Sequence, residues 1–328
     1  MTSGLTGHLA RAAAVCAAVI CSGALAAGCG GRGGVASATA SATASGPAAA
    51  PGEATAPAAG EVRASHAAPS TALGIVPAPA HIVLVVLENH SYGDIIGNPA
   101  APFISGLARQ GALFTRSFAV THPSEPNYLA LFSGATDGIT DDSCPHTFRS
   151  PNLAADLAAA HRSFTGYAES LPARGSAVCV SGEYARKHVP WADFANVPAA
   201  SSQPLANFPG ADLAALPTVA WVIPNLCHDM HDCSVSTGDS WLRQHLGGYA
   251  RWTLTHDSLL IVTWDEDDGS AANHIPTIFV GQPVRAGRYG QRITHYNVLA
   301  TIEAAYHLRR DGLATAAAPI TGVWSGGR

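Results

Sequence analysis

Three segments put chemically capable side chains immediately after apolar runs. HIVLVVL is followed by Glu88 and Asn89, and SLLIVTW by Asp265, Glu266, Asp267 and Asp268. If both runs are strands of one sheet, carboxylates meet at one edge, an arrangement that repels itself unless a cation or a shared proton offsets the charge. Glu88, Asn89, Asp265 and Glu266 would then form an oxygen-rich shell for a divalent metal. The plainer alternative is a set of solvated loop acids and helix caps.

The second segment is THPSEPNYLALFSG, residues 121–134. Pro126 suits a first helical turn, and Tyr128, Leu129, Leu131 and Phe132 supply an apolar face. Ser124 then stands at or near the N-cap, where its hydroxyl could simply cap the backbone. The same position offers free N–H groups and a positive dipole end, suited to an anion. Beside a metal, the hydroxyl could become an alkoxide nucleophile.

The third segment, PNLCHDMHDC at 224–233, follows the apolar run TVAWVI. His228, Asp229 and His231 could bind a second metal, contact an anion or protonate a leaving group. They could equally be loop polarity stiffened by a small disulfide ring. His274 precedes the run PTIFVG and reaches the same edge only through the loop before it; a structural role is the alternative. His122 and His295 are weaker candidates of the same kind.

These groups need a scaffold, and the apolar runs describe one. Segments 81–89, 218–225, 258–267 and 276–281 are short, continuous and rich in Val and Ile, as strands buried on both faces are. Helical patterns alternate with them at 101–111, 152–161, 240–252 and 296–308. The alternation predicts an α/β fold, a doubly wound, mostly parallel sheet flanked by helices. In such sheets ligands sit beyond the carboxyl ends of the strands, where the three segments fall.

Residues 78–328 are expected to form this one domain. Before it, Arg11 and the apolar stretch ending at Gly28 read as an export signal over residues 1–29. The LAAGC at its end is similar to a lipoprotein processing site, with Cys29 as the lipidated residue; ordinary secretion is the alternative. Residues 30–77 are rich in Ala, Ser, Thr, Gly and Pro, too poor in large apolar groups to offset ordering entropy, and read as a tether. Charged residues make up 12% of the chain, the net charge is -5, and no basic run suggests a nucleic-acid partner. The only membrane contact expected is the lipid anchor.

Beyond the signal remain Cys144, Cys179, Cys227 and Cys233, an even number that implies two disulfides in an exported chain. Proximity favours Cys227–Cys233 and hence Cys144–Cys179, although three pairings exist. A Cys/His metal site in HDMHDC is the competing reading.

ENHSYGDIIG, THPSEPNYLALFSG, PNLCHDMHDC with GDSWL, and WDEDDG with NHIPTIFVG occur in this order. Together they resemble the phosphoesterase family of bacterial and fungal acid phosphatases and phospholipase C enzymes, within the alkaline phosphatase superfamily. The resemblance spans residues 81–308. It implies an alkaline phosphatase-like three-layer fold and one divalent metal (calcium, magnesium, manganese or zinc) held by Glu88, Asn89, Ser124, Asp265 and Glu266. It also implies attack on phosphorus by Ser124. Asn127, His228 and Asp229 would contact substrate, and His231 and His274 would assist catalysis. The acidic pair ends in Glu266 where some members have Asp. Tyr128 stands where sulfatases of the superfamily carry Arg, which points to phosphate rather than sulfate esters. The large C-terminal region of the phospholipases is missing, so a small phosphate ester is the expected substrate. A phospholipase C or other diesterase activity, and a non-catalytic metal-binding protein, are the alternatives.

Overall fold

His81–Leu87 (β1) is apolar at almost every position because it lies in the middle of a sheet covered on both sides. Ile82, Leu84 and Val86 pack into one core, and Val83, Val85 and Leu87 into the other. Fully burying such a side chain contributes about 1.5–3 kcal/mol, so both faces resist any shift of register.

The computed structural model describes residues 75–270 and 272–326. After β1 come α1 (Tyr92–Ile95), α2 (Pro102–Gln110), β2 (Ala112–Phe118), α3 (Ser124–Ser133), α4 (Leu153–Ala159) and β3 (Phe164–Ala168). A small hairpin of β4 (Val180–Ser181) and β5 (Tyr184–Ala185) precedes β6 (Ser202–Pro204) and β7 (Val219–Ile223). The chain continues through α5 (Val235–Trp252), β8 (Ser258–Trp264), β9 (His274–Val280), β10 (Gly287–Tyr289), β11 (Ile293–Thr294) and α6 (His295–Ala305).

The main sheet runs β10-β2-β9-β8-β1-β7-β3-β6, with β11 also on β2. Helices α3, α4 and α6 supply Leu129, Phe132, Leu153, Leu299 and Ile302 to one core. Helices α2 and α5 supply Ile104, Leu107, Leu242, Leu246 and Tyr249 to the other. The result is a three-layer α/β fold. Within the main sheet all pairings are parallel except those of β9, which runs antiparallel to β8 and β2. PTIFVG is therefore a buried strand of the opposite sense; an apolar run registers burial on two faces and is blind to direction.

Two features set up the site. β1 pairs with β8 in register from His81↔Ser258 to Leu87↔Trp264, so Glu88 and Asp265 leave the sheet side by side. On its other edge β1 pairs with β7, whose end leads into residues 224–233. The disulfides are Cys144–Cys179 and Cys227–Cys233. The signal and lipidation readings at 1–29, and the tether as far as residue 74, lie outside the described residues.

Candidate active site

Ser124 is the first helical residue of α3; Pro123 occupies the capping position, and the Ser124 hydroxyl makes no capping bond. It points instead between two carboxylates, 3.0 Å from Glu88 Oε2 and 3.2 Å from Glu266 Oε1. One hydroxyl proton cannot serve both oxygens. Asn89, at φ 49° in the left-handed region that Asn tolerates, follows Glu88 at the end of β1. Its side-chain oxygen lies 3.3 Å from Glu88 Oε2 and 3.2 Å from Glu266 Oε1. Turning the amide over would let its NH2 donate to both carboxylates. The inward oxygen is what a cation at the centre would select.

Oxygens spaced at about 3 Å are the edges of a polyhedron with metal–oxygen distances of about 2.1 Å. Glu88 Oε2, Asn89 Oδ1, Ser124 Oγ and Glu266 Oε1 provide four such donors. Asp265 lies alongside: its Oδ1 accepts the Asn89 backbone N–H at 3.2 Å, while its buried Oδ2 has no partner. Burial, and the charges of Asp265 and Asp229, push the Glu88 carboxyl well above its usual range. Burial and the neighbouring Glu266 charge do the same to Asp265. Hard, anionic, mutually repelling and incompletely bonded, this donor set fits a divalent cation.

The outer oxygens are held from behind. Tyr128, one turn after Ser124 on α3, donates to Glu88 Oε1, and His188 Nε2 lies 3.1 Å from the same atom. The His188 ring stacks on Tyr128 at 5.1 Å, and its Nδ1 faces Asp229 Oδ2 at 3.4 Å. Burial keeps His188 well below its ordinary pKa, hence neutral. Glu88, His188 and Asp229 also converge closely enough to form a cation-binding group among the described residues. Because Glu88 Oε1 already accepts Tyr128, we read the trio as the support that orients Glu88. On the other flank His122 Nδ1 contacts Glu266 Oε2 while its Nε2 lies 3.2 Å from Ser270 O. Burial opposes protonation of His122, but the Ser270 carbonyl and Glu266 outweigh it and raise its pKa.

A cavity of about 250 Å³ is lined by Lys187, His231, Asp142, Asp232 and both cysteines of the first disulfide; it includes none of the Ser124 cluster. Lys187 Nζ bonds Asp142 at 2.8 Å, and the charges of Glu88 and Asp265 help hold it protonated. A larger cavity, about 670 Å³, lies against Glu169, Phe208, His245 and Tyr249 and includes none of the Ser124 cluster. The chemistry, not the volume, locates the site.

The phosphoesterase family profile matches residues 98–309. The chain belongs to this family. It is accordingly a hydrolase of phosphoric esters. A phosphatidylinositol-3-phosphatase of Mycobacterium tuberculosis is 54% identical over 255 residues, covering 77% of this chain and 85% of that one. An acid phosphatase of Aspergillus fumigatus is 32% identical over 68% of this chain. The match takes in only 54% of that protein's length. Among solved structures, an alkaline phosphatase superfamily protein from Vibrio parahaemolyticus aligns at TM-score 0.51 and 13% identity, over 71% of this chain and 67% of that one. The lipoteichoic acid synthase LtaP of Listeria monocytogenes aligns at TM-score 0.50 and 10% identity, over 77% and 78%. At such identities these two establish the fold alone.

The structure thus gathers Glu88 and Glu266 of this phosphoesterase about the Ser124 hydroxyl, with the Asn89 amide against both carboxylates and Asp265 on the Asn89 backbone N–H. Other expected site residues stand elsewhere. Asn127 is fully buried, and its amide ties down the backbone of Val120, Thr121 and Pro123, shaping the approach to α3. Asp229 is also buried, accepting the His231 N–H at 2.8 Å, while its carbonyl accepts the Glu88 N–H. His228 turns towards Glu169, at 2.9 Å, and stacks on Trp241. His274 is sandwiched between Tyr92 and Phe118, with Nε2 3.1 Å from Thr115 O. His295 is buried against the Asp265 carbonyl at 2.6 Å, supporting the strand end. His231 lines the smaller cavity, its ring 6.3 Å from that of His188 and its Nδ1 2.7 Å from Asp232. Sequence reasoning missed Lys187 and His188, which sit in a single 3-10 turn after β5, too short for a periodicity to mark them.

Proposed function

We propose that this phosphoesterase is an exported, metal-dependent phosphatase that works through a phosphoserine. The observation that carries the proposal is the Ser124 hydroxyl, placed between Glu88 and Glu266 with the Asn89 amide beside both carboxylates. A divalent cation bound by Glu88, Asn89, Asp265 and Glu266 would lower the proton affinity of the hydroxyl and neutralise charge on the phosphate. Ser124 then attacks phosphorus in line, its proton passing to a flanking carboxylate. His231 and Lys187, at the cavity, contact the phosphate oxygens, and His231 protonates the departing alcohol. Water hydrolyses the phosphoserine and frees Ser124. The two disulfides favour an oxidising compartment, as export supplies.

The substrate we favour is a phosphomonoester carried on a phosphoinositide headgroup, because the 54%-identical relative is described as a phosphatidylinositol-3-phosphatase. The test is hydrolysis of p-nitrophenyl phosphate, bis-p-nitrophenyl phosphate and a phosphatidylinositol 3-phosphate, by wild type and Ser124→Ala, with and without chelator. Monoester turnover lost in Ser124→Ala and in chelator, with acid-stable phosphate on wild-type Ser124, is expected. Undiminished turnover by Ser124→Ala removes the proposal; preference for the diester replaces it with a phosphodiesterase.

A further inference from the structure

The arginines of the domain are distributed unevenly. From residue 95 to 124 and from residue 269 to 302 the sequence contains no Asp or Glu, yet it contains Arg109, Arg116, Arg285, Arg288 and Arg292. The fold brings these stretches together as β2, β9, β10 and β11 at one end of the sheet. A chain of net charge -5 therefore carries a sheet end without a carboxylate of its own.

The arginines meet half-exposed aromatic rings. Tyr92 stacks on His274 at 4.7 Å and 3°, and His274 stacks on Phe118 at 5.0 Å. The Arg292 guanidinium caps the Phe118 ring at 3.9 Å, and Arg288 donates to the Tyr92 hydroxyl at 3.0 Å. Arg116, Arg288 and Arg292 are exposed. Of the carboxylates near this stack, Asp94 and Asp268 bond Ser91, and the buried Asp267 accepts the His274 backbone N–H at 3.1 Å. The stack stands at the edge that carries the active site. Phe118 ends β2, His274 begins the reversed β9, and Tyr92 lies three residues beyond Asn89.

We propose that this face docks the enzyme on an anionic phospholipid surface and presents its active-site edge to the headgroups. The inference rests on the lipid-phosphate reading above. A guanidinium attracts anionic headgroups at short range, and amphipathic rings favour the boundary between water and acyl chains. A free polyanion would use the arginines but would gain little from the flanking rings. Docking from this face also solves an access problem. Ser124 is only 2% exposed, so a headgroup fixed in a bilayer reaches it only if the sheet edge faces the membrane.

The test is flotation of the full-length protein with vesicles of phosphatidylcholine alone and with 30 mol% (about one lipid in three) phosphatidylserine, at about 50 mM and about 500 mM salt. Wild type, Arg288→Glu/Arg292→Glu and, as a control away from the face, Arg174→Glu are compared. Neither kind of vesicle contains a substrate, so binding is read independently of turnover. Wild type and Arg174→Glu should bind the anionic vesicles in low salt and release in high salt. Each basic group at such a surface contributes about fivefold, so the double variant should bind at least ~25-fold more weakly. It should still hydrolyse p-nitrophenyl phosphate like wild type, which shows that it is folded. The proposal is overturned if wild type binds both vesicles equally, if the double variant binds like wild type, or if heparin binds wild type while anionic vesicles do not. Loss of phosphatase activity on every substrate with vesicle binding intact would instead refute the catalytic reading alone.

Discussion

Tyr128→Phe isolates the support behind the metal ligands. The substitution keeps the ring that stacks on His188 and removes only the hydroxyl that donates to Glu88 Oε1. In the metal-free protein, burial and the charges of Asp265 and Asp229 hold the Glu88 carboxyl well above its usual range and favour its neutral form. The lost bond is then one between neutral groups, and stability should fall by only about 1 kcal/mol, or about 2–4 °C for a domain of this size. Binding a cation requires Glu88 to ionise. A hydrogen bond to a buried charge contributes about 1.5–3 kcal/mol, so metal affinity should fall about 10–100-fold. The assay is p-nitrophenyl phosphate turnover against metal concentration, alongside thermal unfolding in chelator. The expected result is a displaced metal curve with near-normal turnover at saturation. An unmoved curve, or reduced saturated turnover with no shift, would refute the assignment of Tyr128 as the residue that orients Glu88.

Asp265→Asn should have effects of opposite sign: it removes one of the repelling charges, raising the unfolding midpoint of the metal-free protein, while activity falls at least about 100-fold. Differential scanning fluorimetry in chelator and a turnover assay read the two. Stability should also depend on pH through carboxyls raised by burial, notably Glu303, pushed up to about 7, and Glu125, to about 8. The folded state keeps protons that the unfolded chain has lost, so stability is highest at low pH and falls as pH rises from about 4.5 through 8. Urea midpoints at pH 5 and 8 test this, and Glu303→Gln should shrink the difference. Replacing Cys144 and Cys179 by Ser, across a separation of 35, should cost about 4 kcal/mol, against about 2 kcal/mol for Cys227 and Cys233, separated by 6. Unfolding of each pair variant gives the order.

What the sequence determined was the set of strand ends. A strand buried on both faces must be apolar along its length, so Glu88 and Asp265 mark abrupt stops that local chemistry alone reveals. The segment around Ser124 was equally plain, since Pro126 and the apolar residues after it announce a helix start. The direction of β9 was not legible, and β2 and β3, interrupted by polar residues, were not picked out as strands; nor were the short strands β6, β10 and β11, whose few residues carry no period. The sequence was also silent about which polar groups would be buried. Asn127 and Asp229 look like substrate contacts by type; tertiary packing buries both and bonds them to backbone N–H groups. Lys187 and His188 look like ordinary loop residues, yet folding sets one on the cavity wall and the other behind Glu88. The reason is one of range. Strand stops and helix starts are written within a few neighbouring residues, whereas the surroundings of a buried polar group depend on contacts between segments far apart in the chain. Glu88 meets Ser124, His188, Asp229 and Glu266 only when β1, α3 and the loops after β5, β7 and β8 have come together.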